Sequence, residues 1–130
     1  RWAAARGLTV VDDPGTLNLA AAAGLGWAAA AGFERIVVAH ADLPLAVELA
    51  WVARFSGVTI VPDRRDDGTN VIGVPTADPF PFSYGPGSFR RHARAALDRG
   101  IPLRVVREPR LGADVDVPAD LASARLASAP

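Results

Sequence analysis

The feature that most constrains this chain is an alternation. Short runs rich in β-branched residues take turns with Ala- and Leu-rich segments of helical length. The runs are "LTVV" at 8–11, "RIVVA" at 35–39, "VTIVP" at 58–62, "NVIGV" at 70–74 and "LRVV" at 103–106. Helices are predicted over 14–31, 44–55, 87–99 and 118–126. Alternation of this kind predicts an α/β fold with a mostly parallel sheet covered by helices on both faces. The most apolar stretch, "LNLAAAAGLGWAAAAGF", is dominated by Ala and Gly and interrupted by Asn18, so it reads as a buried helix rather than a membrane span.

Charge narrows the choice of partner. The formal net charge is zero over 130 residues, which argues against a nucleic-acid groove or an anionic membrane as the main partner. Any phosphate must therefore be recognised locally. All 14 basic residues are arginine, and cysteine is absent, which removes both a disulfide framework and a thiolate metal site. The abundance of Ala, Arg, Gly and Pro looks like the coding bias of a GC-rich genome, and its structural meaning is discounted. The length suits one domain with a real core.

In sheets of this type, ligands gather at the carboxyl ends of the strands. Asp42 sits just past "RIVVA" and before Pro44, where it either caps a helix or serves chemistry, or does both. Asp114 and Asp116, in "LGADVDVP", share one face of an extended segment. Two like charges so close must be solvated, share a proton or be bridged by a cation. "GTN" at 68–70 and "YGPGS" at 84–88 read in isolation as a tight turn and as a loop with a helix cap. Glycines there also let backbone approach an anion, with Gly87, Ser88 and Phe89 expected to present free amides at a helix start. Arg90 and Arg94 share a face expected to be solvated, His92 either touches phosphate with Arg91 or faces solvent, and His40 is expected to be structural. Trp2, Trp27 and Trp51 are expected in the core or at an interface.

Taken together, "AHADLPL", "VPDRRDDGTN", "FSYGPGSFRRH" and "LGADVDVPADL", in this order, resemble the phosphoenolpyruvate or 2-phospho-L-lactate guanylyltransferases of coenzyme F420 biosynthesis. The resemblance implies a Rossmann-like nucleotidyltransferase, similar to nucleotide-diphospho-sugar transferases, that joins GMP from GTP to a small phosphorylated carboxylic acid and releases pyrophosphate. It implies magnesium held by Asp42, Asp114 and Asp116 as the catalytic carboxylates, hard oxygen donors of the kind that ion prefers. It also implies that Thr69, Gly85 and Ser88 bind the acid. Asn70 would orient the loop.

Relatives of this type begin with a strand and a lysine-bearing loop that hold the nucleotide phosphates, and this chain has no lysine. The expectation is therefore one nucleotidyltransferase domain over 1–130 lacking its N-terminal nucleotide-binding portion, with Asn18 as a remnant of nucleotide contact. Alone it is expected to be inactive and poorly behaved in solution. Rival readings are a molybdenum-cofactor-like nucleotidyltransferase and a degenerate, non-catalytic module of the same fold. A cytoplasmic location is expected, and association into a homo-oligomer is left open.

Overall fold

A computed structural model describes residues 1–43 and 48–112. The expected helix at 118–126, the first residues of the one at 44–55, and Asp114 and Asp116 lie outside these described residues. The chain opens with a 3-10 turn, Ala4–Arg6, followed by helix α1, Leu17–Ala30. Strand β1 is Arg35–Ala39, and a 3-10 turn, Ala50–Ala53, precedes β2, Val58–Pro62. Then come β3, Thr69–Pro75, helix α2, Ser88–Asp98, strand β4, Leu103–Val105, and a short helix α3, Pro109–Gly112.

Helix α1 starts where Thr16 accepts the Leu19 amide at 3.2 Å, and Gly32, at φ +87°, follows its last turn. It is not the fully buried helix its composition predicts. Only the stripe Ala21, Leu25 and Ala28 is buried, while Leu17, Leu19 and Trp27 are exposed. Small side chains let the stripe lie close to the sheet but leave most of the helix surface in solvent. Trp2 is exposed as well, and only Trp51 is half-buried.

The sheet has order β1-β3-β2-β4, and it corrects the mostly parallel expectation. Strand β3 runs antiparallel to both β1 and β2, and only β2 and β4 pair in parallel. The misreading has a physical cause. Continuous apolar runs report burial on both faces, and β2 and β3 are central strands covered on both sides whatever their direction. The segment "LTVV" forms no strand: Leu8, Val10 and Val11 are exposed and unpaired in the sheet, because β propensity needs a partner strand and a face to bury. Over the described part of 44–55 there is only the 3-10 turn.

Alternation along the central strands sends side chains to two clusters. Val58, Ile60, Ile72 and Val74 meet α1, α2 and the Phe80–Phe82 pair on one face. Val61 and Val71 meet Val52, Leu43 and Leu111 on the other. Gly73 sets the distance on this second side, since a Cβ there would lie 2.8 Å from the Val52 carbonyl oxygen. Gly73→Ala is therefore expected to push the 3-10 turn off β3 and destabilise the fold by about 2 kcal/mol, measured by chemical denaturation. An unchanged midpoint would show that the turn yields freely.

Because β1, β2 and β4 all run one way, their carboxyl ends and the start of β3 share one edge. The strand ends at which the sequence predicts a site therefore lie together.

Candidate functional site

Four segments meet along that edge. Asp42 follows β1 and is exposed, whereas its neighbour Leu43 is anchored in the second core cluster. The His40 amide donates to the Asn70 carbonyl at 3.1 Å, which holds the end of β1 against the start of β3. Asn70 is buried, and its side-chain amide donates to the Leu111 carbonyl at 2.8 Å. The Arg64 amide donates to the Gly112 carbonyl at 3.2 Å. These bonds bring Gly112, which precedes Asp114 and Asp116 in sequence by two and four positions, to the edge that carries Asp42. Among the described residues, no three acidic or histidine side chains converge on a metal-sized space.

Asp63 follows β2 at the same edge, but its carboxylate is committed to its own loop. It accepts the Arg65 and Asp67 amides at 3.0 Å and the Gly68 amide at 2.9 Å. This arrangement shapes the hairpin turn that delivers Thr69.

The candidate acid-binding residues come together. Ser88 donates its hydroxyl to Thr69 Oγ1 at 3.2 Å, and the Ser88 amide donates to the Gly85 carbonyl at 3.0 Å. Both side chains are buried, Thr69 at 3% exposure and Ser88 at 1%. The glycine turn is built on positive φ, +102° at Gly85 and +76° at Gly87. A Gly85→Val variant would therefore strain the turn itself and could not serve as a clean block of backbone approach.

The amides expected to be free are occupied. Gly87 donates to Asp67 Oδ1 at 3.1 Å, Phe89 donates to the Asp67 carbonyl at 3.0 Å, and Ser88 donates to Gly85. A carboxylate from the hairpin loop thus already sits at the start of α2, where an anion is favoured. Arg91 does not reach outward but wraps the turn: Nε donates to Ser83 Oγ at 2.8 Å, while the two Nη groups donate to the Pro86, Ser83 and Tyr84 carbonyls. Asn18, expected to touch nucleotide, accepts the Tyr84 amide at 2.6 Å through its side-chain oxygen. Arg90 and Arg94 are solvated as expected.

Sequence reasoning missed His92. Its ring is fully buried, with Nδ1 2.9 Å from Thr69 Oγ1 and Nε2 accepting the Ser83 amide at 2.9 Å. Burial, assisted by the neighbouring Arg91 charge, pushes its pKa down to about 4. The imidazole is neutral at neutral pH. The spacing held a usable signal: Ser88, His92, Ala95 and Ala96 fall on one helical face, so the histidine belongs to the core side of α2. Tyr84 packs edge-on against both His92, at 5.0 Å, and His40, at 5.2 Å between ring centroids. Burial raises its pKa to about 12, and among the described residues its hydroxyl has no hydrogen-bond partner.

The family model described as "Guanylyl transferase CofC like" matches residues 3–127. The phosphoenolpyruvate guanylyltransferase of Sphaerobacter thermophilus is 39% identical over 92% of this chain and 60% of its own length. A 2-phospho-L-lactate guanylyltransferase of Halorubrum lacusprofundi is 43% identical over 70% of the chain and 43% of its own length. A 3-phospho-D-glycerate guanylyltransferase of Phenylobacterium zucineum is 34% identical over 92% and 59%, respectively. The chain spans about 60% of the length of the longer-matching relatives.

Proposed function

This chain belongs to the CofC-like guanylyl transferase family, and we propose that it transfers GMP from GTP to a small phosphorylated carboxylic acid, releasing pyrophosphate, in coenzyme F420 biosynthesis. In this reading the fold is a Rossmann-like nucleotidyltransferase that works in the cytoplasm. No helix among the described residues is long and apolar enough to cross a membrane. The observation that carries the reading is the convergence on one sheet edge of Asp42, the Thr69–Ser88 pair with its glycine turn, and Gly112 at the approach to Asp114 and Asp116.

A phosphate oxygen of the acid attacks the α-phosphorus of GTP, the bond from that phosphorus to the bridging oxygen breaks, and pyrophosphate leaves. Positioning supplies much of the acceleration in such a displacement. Thr69, Gly85 and Ser88 hold the acid in this account, with Asn70, Asp67 and Arg91 fixing the loops that carry them. Asp42, Asp114 and Asp116 would hold magnesium. The one described member, Asp42, supports this as an exposed hard oxygen donor at the edge, whereas Asp63 is spent on amides. Bound magnesium would offset phosphate charge.

Phosphoenolpyruvate is the leading acid because relatives named for it match at 39% and 40% identity over 92% and 82% of the chain. 2-Phospho-L-lactate and 3-phospho-D-glycerate share its carboxylate and phosphate, and other relatives are named for them. The test is pyrophosphate release with GTP, magnesium and each acid. It uses the 130-residue chain and a chimera in which this chain replaces the matched part of the Sphaerobacter relative. Turnover by a folded chimera and none by the chain alone is the expected result. A well-folded chimera inert with all the acids would leave the non-catalytic module standing.

A further inference from the structure

Resting on the reading that Thr69 faces the acid, we propose that His92 is a positioning residue that fixes the direction of the Thr69 hydroxyl, forcing it to donate to the bound acid. His92 Nε2 accepts the Ser83 amide, so that nitrogen carries no proton. A neutral imidazole then carries its proton on Nδ1, 2.9 Å from Thr69 Oγ1, and donates it there. Ser88 donates to the same oxygen at 3.2 Å. A hydroxyl oxygen has two acceptor lone pairs, and with Ser88 as the donor of the hydroxyl pair both are filled. Only the hydroxyl proton of Thr69 is left to spend, and it is a donor.

That state suits one class of ligand. An ionised carboxylate or phosphate offers acceptors only, and a hydroxyl that must donate recognises such a group better than one free to rotate. The same ring ties the donor to the loop, because Ser83 immediately precedes the glycine turn and also accepts from Arg91. One buried side chain thereby sets both the orientation of Thr69 and the position of the segment entering "YGPGS". His92 touches no ligand in this account.

The test separates the two ring nitrogens. Asn at 92 can place a donor near the Nδ1 position, and Gln can place an acceptor near the Nε2 position. Phosphoenolpyruvate, 2-phospho-L-lactate and 3-phospho-D-glycerate are titrated into the chain with GTP and magnesium, followed by calorimetry. H92Q is expected to bind the acid about tenfold more weakly, the loss expected for one donor to a charged group. H92N keeps the donor to Thr69 but leaves the Ser83 amide without its acceptor, and is expected to lose less than H92Q. T69V should match the loss in H92Q, and adding it to H92Q should cost little more. Equal affinity in H92Q and the parent, or full additivity with T69V, would overturn the role of His92 alone. A parent that binds none of the acids would overturn the acid-site reading and this proposal with it. A second measurement needs no variant: imidazole nitrogen shifts in the parent should place the proton of His92 on Nδ1, and a proton on Nε2 would end the idea.

Discussion

Asp42→Asn is expected to lower guanylyl transfer by the chimera at least about a hundredfold while leaving the unfolding midpoint of the chain within the small range typical of surface changes. Asparagine keeps the shape and caps a helix as well as aspartate does. It loses the negative charge and one hard ligand oxygen. The substitution therefore divides the structural use of Asp42 from the chemical one, both of which its place after β1 allows. Exposure of the side chain is what makes the stability cost small. Asp63 is the contrasting control at the same edge: Asp63→Ala would strand the Arg65, Asp67 and Gly68 amides and is expected to cost about 1–2 kcal/mol of stability. Turnover unaffected by Asp42→Asn would remove Asp42 from the site, and a large stability loss would make it a structural acid like Asp63. Pyrophosphate release and denaturant titration are the two readings.

The contrast between these aspartates also marks what the sequence could reveal. Strands at 35–39 and 58–62 were legible because their apolar runs are bounded by charges and glycine, and the structure places β1 and β2 on those residues. Their mutual direction was not, since burial on both faces produces the same run in either pairing. The site was legible as motifs and only in part as geometry. Spacing within "YGPGS" announces a glycine turn, and Gly85 and Gly87 do adopt positive φ. It cannot announce that Asp67, on a hairpin loop about twenty positions earlier, arrives to take the Gly87 and Phe89 hydrogen bonds. Asn18 is a similar case, since its oxygen meets Tyr84 across a separation of 66 residues. Long-range partners of polar groups depend on how the elements pack, and a local pattern does not carry that. His92 differs: its core-facing phase on α2 was in the sequence, and only the partners of its nitrogens required the fold.

The chain is expected to lose stability on acidification between about pH 6.5 and 4 because of His92, by at most about 3.5 kcal/mol. Unfolded, the ring takes up its proton near the usual histidine value of 6.5, whereas in the fold it holds off until about 4. Above pH 6.5 both states are neutral and the difference contributes nothing to pH dependence. Between the two values the unfolded state binds more protons, so each unit of acidification favours unfolding by up to about 1.4 kcal/mol. Below about 4 both states are charged and the loss is complete. The protonated ring has little to gain in the fold: Nε2 faces the Ser83 N–H, which can only donate, and Arg91 adds a like charge nearby. Other groups titrate alike in parent and H92Q, so the difference between their stability curves across this window isolates the histidine. The chain has 2 histidines, so a nuclear magnetic resonance titration can follow His92 and His40 separately even if the variant folds poorly. A His92 midpoint near 6.5, or parallel stability curves for parent and variant, would show that the ring is solvated and that its bonds to Thr69 and Ser83 do not hold in solution.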